Sequence, residues 1–164
     1  MPSSQNASLP EILTVSRFYI DLQLQNSPEA SDGYFMECSG FKYSQELVEF
    51  NEVFPQKVGS KTIGRVVTSK MPGIAKVDNI TLKRGMNCSM SLWQWIADTQ
   101  EGRWADNRLD GSLTIYAQNG EEGARFNFFR AFPVSYNIAG VNVAGTDMAF
   151  EELELACENF VRVI

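Results

Sequence analysis

Four carboxylates crowd the end of the chain, Glu151, Glu152, Glu154 and Glu158. A carboxylate pair is the minimum equipment for acid–base hydrolysis, with one group protonated and the other ionised. By parity Glu152, Glu154 and Glu158 fall on one face of an extended segment, a spacing that suits a solvated surface better than a pocket. Histidine is absent from all 164 residues, which removes the commonest general base, the commonest metal ligand and the base of any Ser–His or Cys–His pair. Cys38, Cys88 and Cys157 are odd in number and far apart. Without a C-x-x-C spacing they point to neither a zinc site nor a disulfide framework, and they read as small buried apolar residues. The chain has no P-loop and no G-x-G-x-x-G between a strand and a helix. Asn87-Cys-Ser89 fits a glycosylation sequon, but Met1 to Pro10 lacks the basic and apolar regions of a signal peptide, so the sequon is discounted. No catalytic residue, metal or cofactor is expected.

Charge placement is more informative. From Lys57 to Arg84 the chain carries Lys57, Lys61, Arg65, Lys70, Lys76, Lys83 and Arg84 against Asp78 alone. That segment is net +6 and leaves −12 on the remainder of a chain whose net charge is −6. Single-strand nucleic-acid grooves interleave cations with aromatic rings for base stacking, yet Lys57 to Gly85 contains no aromatic residue. The acidic remainder also opposes a polyanion. Complementarity between copies fits better: a basic surface meeting an acidic one head to tail closes into rings or extends into filaments. A solvated basic loop is the plain alternative. No run approaches the ~20 apolar residues of a membrane-spanning helix.

The elements that must position these residues are mostly strands. Val15 to Leu24 alternates, with Phe18, Ile20, Leu22 and Leu24 on one face. A loop through Asn26 to Gly33 and a short strand, Tyr34 to Cys38, follow. Tyr43 to Phe54 is extended, with Glu46, Glu49 and Glu52 along it and apolar residues on both faces, so it needs cover on both sides. Pro55 to Arg65 reads as a long polar loop around Gly59 and Gly64, and Arg65 to Met71 as a strand ended by Pro72-Gly73. Val77 to Arg84 is a further strand with Gly85 as its stop.

One helix is expected over Leu92 to Thr99, capped by Ser89 or Ser91 and stopped by Gly102. Leu92, Ile96 and Thr99 mark its inner face, with Trp93 and Trp95 on opposite edges. Gly111 to Gln118 and Arg125 to Phe132 are strands joined at Asn119-Gly120. Pro133 implies an edge or a bulge. Val134 to Ile138 and a long last strand, Met148 to Val163, complete the chain. Many short strands and one helix describe a mainly β protein, a sandwich or barrel. Residues 1–14 form a flexible arm and 15–164 one domain, with 44% hydrophobic residues to fill its core.

Several residue groups, in order, resemble the tail tube proteins of contractile-tailed bacteriophages and their relatives in bacterial contractile injection systems. They are Phe18-Tyr-Ile-Asp-Leu22, Gly33-Tyr-Phe-Met-Glu-Cys-Ser-Gly-Phe41, Glu49-Phe-Asn-Glu52 and Met71-Pro-Gly73. The fullest match is Asn79-Ile-Thr-Leu-Lys-Arg-Gly85, followed by Leu92-Trp-Gln-Trp95, Ala131-Phe-Pro133 and Phe150-Glu-Glu-Leu-Glu-Leu155, then Glu158 and Phe160. One departure is Ala156-Cys157 before Glu158, where relatives often carry a histidine.

The resemblance implies two packed antiparallel sheets with one flanking α-helix. It implies hexameric rings stacked into a hollow tube inside a contractile sheath, a structural conduit and puncturing shaft rather than an enzyme. Residues 42–73 take the position of the loop that reaches the adjacent ring, which makes Lys57, Lys61, Arg65, Glu46, Glu49 and Glu52 the expected inter-ring contacts. The partners implied are copies of itself, a sheath protein, baseplate and terminator proteins, and DNA or protein effector cargo in the lumen, without direct membrane insertion. Assembly would take place in the bacterial cytoplasm, as part of a phage tail or injection particle. The alternatives are a monomeric β-barrel whose phenylalanines at 126–132 line a cavity for a small apolar ligand, and a histidine-free hydrolase with a carboxylate pair.

Overall fold

The computed structural model describes residues 12–22, 35–86 and 89–164. The elements run in the order β1 (Phe18–Leu22), β2 (Glu37–Ser39), β3 (Tyr43–Val58), β4 (Lys61–Val77), β5 (Ile80–Gly85), α1 (Ser91–Asp98), β6 (Leu109–Tyr116), β7 (Glu122–Ile138), β8 (Phe150–Ala156) and β9 (Asn159–Arg162). The fold is mainly β, with two sheets and one α-helix. The chain divides into two compact units: Phe41–Asp78, holding β3 and β4, and the remainder. Leu24, the 26–33 loop, Tyr34, Asn87, Cys88 and most of the expected arm lie outside the described residues.

In the larger unit, period-two alternation decides which side chains are buried. β1 buries Ile20 and Leu22 around an exposed Asp21. β5 buries Ile80, Leu82 and Arg84, and β8 buries Glu151, Leu153 and Leu155. The strands pair antiparallel in the order β1-β6-β7-β8-β5-β2. β7 is the hinge of this sheet. Its first half pairs with β6 on one edge, while β9 and β8 run in succession along the other. The long last strand expected over Met148 to Val163 is therefore two strands, parted at Cys157–Glu158 and tied there by Glu158 N–H to the Phe129 carbonyl at 3.1 Å.

Two bulges bend β7. Phe129 and Arg130 together face Asp110, whose Oδ1 accepts the Arg130 N–H at 2.8 Å, and Arg130 sits at φ 53°. The second bulge follows Pro133, the position where the sequence implies one. The phenylalanines on this strand serve as packing. Phe128 is fully buried, Phe132 lies against Trp104 and Phe126 lies under the Arg162 guanidinium.

α1 buries Leu92, Trp95 and Ile96. Trp93 stays half exposed, with its ring edge-on to Tyr136 of β7 at 5.7 Å. Neither expected serine caps the helix: Met90 occupies the cap position without a side-chain bond. A wider π-type turn, Thr99–Arg103, follows, and Gly102 at φ 89° breaks it as expected of a C-terminal stop.

The most constrained polar group of the larger unit is a buried ion pair. Arg84 of β5 and Glu151 of β8 are cross-strand neighbours, 2% and 7% exposed at the side chain, with Arg84 Nε donating to Glu151 Oε1. Tyr136 Oη donates to Glu151 Oε2 at 2.6 Å, so the carboxylate ties three strands together. Such a pair adds little net stability over an apolar replacement, but losing one partner strands a charge at ~3–5 kcal/mol. Glu151→Ala is therefore expected to lower urea-unfolding stability by roughly that amount, and Arg84→Met with Glu151→Leu to recover most of the loss. An unchanged midpoint for the single variant would show that the pair is not buried in solution.

Burial also fixes the alkaline limit. It pushes the Tyr136 hydroxyl up from an ordinary 10.0 to about 12, helped by its bond to Glu151 and that carboxylate's charge, and pushes the Cys38 thiol up from 9.0 to about 12. The native state keeps both protons while the unfolded chain gives them up first, so stability falls as pH rises from the ordinary values towards about 12. Urea midpoints across that window are expected to decline, and less steeply in Tyr136→Phe.

Candidate assembly surface

The segment expected as a polar loop is a ladder. β3 and β4 pair antiparallel from Tyr43↔Val77 to Val58↔Lys61, and only Gly59-Ser60 turns, with Gly59 at φ 63° opening the two-residue turn. Gly64 misled because glycine marks loops; here it lies inside the ladder opposite Pro55. The β-branched run around it, Thr62-Ile63 and Val66-Val67-Thr68, favours the extended chain. Pro72-Gly73 does not end the strand either. Gly73 and Ile74 together face Glu46 as a bulge, and the ladder resumes at Gln45↔Ala75.

Two strands in water cannot bury anything between them. None of the residues from Phe41 to Asp78 is fully buried. Register and parity divide their side chains into two unlike faces. One face carries Leu47, Glu49, Asn51, Val53, Pro55 and Lys57 of β3 with Thr62, Val66, Thr68 and Lys70 of β4. Its polar groups satisfy each other: Lys70 Nζ lies 2.9 Å from Glu49 Oε1, and Thr68 Oγ1 donates to Asn51 Oδ1 at 2.7 Å. The opposite face carries Val48, Phe50, Phe54 and Val58 of β3 with Ile63, Val67 and Met71 of β4. Phe54, Val58, Ile63 and Met71 are each about half exposed, at 51%, 55%, 49% and 49%.

The six expected contact residues all lie on this hairpin and divide between its faces. Glu46, Glu52, Lys61 and Arg65 belong to the apolar face, Glu49 and Lys57 to the polar one. Glu46 is held by Lys76 at 2.5 Å and Glu49 by Lys70. Among the described residues, Lys57, Lys61, Arg65 and Glu52 have no ion-pair partner. The run of cations up to Arg84 thus disperses: Lys70 and Lys76 are paired, Lys83 lies 3.7 Å from Glu37, and Arg84 is in the core. The Phe41–Asp78 unit holds six Lys and Arg against four Asp and Glu, net +2, which leaves −8 on the remainder.

Magnitudes rank these features. Fully burying one Val, Ile, Phe or Met is worth ~1.5–3 kcal/mol, whereas an exposed ion pair contributes ~0–1 kcal/mol. Apolar cover is the stronger demand, and charge pattern alone understates this surface. Sequence reading registered two-faced apolar content in β3 but missed its continuation into β4; the alternation Val58, Ile63, Val67 and Met71 across a short turn was the available signal. Elsewhere burial raises the pKa of the Cys157 thiol as it does that of Cys38, so neither is an activated nucleophile.

Residues 15–161 match the model of the T4-like virus tail tube protein gp19 family. The chain belongs to that family. As a tail tube protein it is a structural component, not an enzyme. No curated protein matches it in sequence. In fold, this tail tube protein is similar to a chain of the cryo-EM structure of an extracellular contractile injection system, the PVC sheath-tube complex in its extended state. They share 22% identity over 99% of this chain and 98% of that one, with a TM-score of 0.71. A chain of the anti-feeding prophage cap (AFP tube terminating cap) shares 19% identity over 98% and 96%, with a TM-score of 0.72. A third, from the PVC sheath/tube terminator in its extended state, shares 23% over 94% and 98%, at 0.71.

A hairpin without a core of its own has few contacts to hold its ladder closed. In the free subunit the β3–β4 amides are expected to exchange with deuterium well ahead of those in β5, β6 and β8, and to become protected once copies associate. Equal protection of both sets in the free subunit would show that the hairpin needs no partner.

Proposed function

We propose that this tail tube protein is the inner-tube subunit of a contractile particle: six copies form a ring, and rings stack into a hollow tube inside a sheath. The observation that carries this is the β3–β4 hairpin, 35 residues from Tyr43 to Val77 without one fully buried side chain. Such a ribbon is stable only when something covers it, and in a self-assembling tube that cover is another copy. Residues 15–164 act as one subunit, with 1–14 as its arm. The tube serves as passive conduit and puncturing shaft, driven forward when the sheath shortens, with DNA or a protein effector in its lumen.

Sheath, baseplate and terminator proteins are the proposed partners. Chains of similar fold occur in structures described as a sheath-tube complex, a baseplate and a tube-terminating cap, which supports these partner types. Assembly is proposed to take place in the bacterial cytoplasm. The contacts between rings are proposed to include Lys57, Lys61, Arg65, Glu46, Glu49 and Glu52. No packing feature favours the monomeric ligand-binding barrel, since the phenylalanines it would need are used as described above.

Negative-stain microscopy and sedimentation of the purified chain are expected to reveal rings or tubes. A monomer at every concentration and salt would overturn the proposal. Reversing Lys57, Lys61 and Arg65 together to Glu is expected to weaken ring stacking while circular dichroism still reports a folded subunit. Stacking that resists the triple reversal would remove these cations from the contact.

A further inference from the structure

We infer that the β3–β4 hairpin docks on a second copy of this chain through one particular face, that of Phe50, Phe54, Ile63 and Met71, and turns the face of Asn51, Lys57, Thr62 and Thr68 to the water of the channel. The inference rests on the tube-subunit proposal and adds which side chains are covered and which are wetted: of the six contact residues proposed above it keeps Glu46, Glu52, Lys61 and Arg65 on the covered face and moves Glu49 and Lys57 to the wetted one.

The two faces make different demands. On the Asn51 face the ion pair Glu49–Lys70 and the Thr68–Asn51 hydrogen bond close within the hairpin, so the polar groups of that face need no partner from another copy. Its large apolar residues are fewer: the directly opposed Val53 and Val66, and Leu47 across from Pro72. The Phe50 face carries more large apolar side chains, Val48, Phe50, Phe54 and Val58 of β3 with Ile63 and Met71 of β4, although only Val48 and Met71 lie directly opposite each other. Exposing it wastes the larger apolar area.

Charge identifies the occupant. Lys61 and Arg65 project from the Phe50 face near the hairpin tip and, like the single Glu52 farther along that face, have no ion-pair partner among the described residues, which leaves this end of the face net positive. A cation covered by a partner needs a carboxylate opposite it, or its desolvation goes uncompensated. A second copy offers that complement, since outside the Phe41–Asp78 unit this chain is net −8. The wetted face carries Glu49, Lys70 and Lys57, close to electrical balance, which suits a channel wall that neither holds nor bars a charged cargo.

Single cysteines placed on each face read this directly. Asn51→Cys and Thr62→Cys probe one face, Gln56→Cys and Ser69→Cys the other, each labelled with a small water-soluble methanethiosulfonate and compared with the unsubstituted chain as blank. All four are expected to label in the free subunit. In the assembled tube, Gln56→Cys and Ser69→Cys are expected to lose labelling while Asn51→Cys and Thr62→Cys keep it. Loss at the Asn51 and Thr62 positions, or equal labelling of both faces, would overturn the face assignment while leaving the tube proposal intact. A chain that never assembles would overturn the tube proposal, and this inference with it. Arg65→Glu is also expected to weaken assembly more than Lys57→Glu; the reverse order would count against the assignment.

Discussion

A strand pair has two faces and no interior, and from that constraint most of this molecule's behaviour follows. β3 and β4 pair only with each other, so the backbone groups on the inner edge of each strand are bonded while those on the outer edge are open. Hydrophobic burial, the larger favourable term in folding, is left almost unspent there, with Val53, Phe54, Val58 and Val66 all more than half exposed. The chain thus carries part of its folding free energy as a potential for association. Such a ribbon is also a hazard, because exposed apolar edges pair indiscriminately. Lys57 and Lys61 beside the turn, Pro55 and Pro72 within the strands, and the bulge at Gly73-Ile74 all interrupt a flat template. These features discourage edge-to-edge pairing without removing the apolar face.

The remainder of the chain is built on the opposite principle. Its sheet closes its own core, with Ile20, Ile80, Leu82, Phe128, Leu153 and Leu155 all 1% exposed or less. β7 makes this possible by bending at two bulges so that one strand serves β6, β8 and β9. The Arg84–Glu151–Tyr136 cluster then fixes register, since a one-residue slip of β5 or β8 would turn a charge to the other face of its strand and leave its partner unmatched.

How much of this was legible in sequence depends on where the deciding contacts lie. Period-two alternation located β1, β5, β6 and β7 because each buries one face within the same chain, and the inner residues of α1 followed from helical spacing. Pro133 declared its bulge because proline lacks the N–H a ladder needs. The hairpin was harder. With no buried face its alternation is blurred, and Gly64 and Pro72-Gly73 looked like ends rather than ladder positions. In sequence Arg84 reads as one more surface cation, and parity sets Glu151 apart from Glu152, Glu154 and Glu158 without showing that it is buried, because burial of a charge depends on a partner 67 residues away. The last strand was read as continuous since its break at Cys157–Glu158 shifts no register: β8 and β9 remain on the same edge of β7. Among the six expected contact residues, position on the hairpin was readable, but division between its faces required the pairing register.

Charge and apolar area then take separate parts in association. In the proposed contact between two copies, the net −8 bodies would repel while the +2 hairpin of one would attract the body of the other. At physiological salt that attraction reaches only ~8 Å, so it selects the orientation of encounter rather than holding the complex. The apolar face supplies the hold, once water is excluded from it. Because hairpin and body are different surfaces, the proposed contact would leave each docked copy with a free hairpin and a free body, which makes it head to tail. A contact of that kind cannot satisfy itself in a pair; it must close into a ring or continue. Growth is thus a consequence of placing the uncovered face and its complementary charge on different parts of one chain.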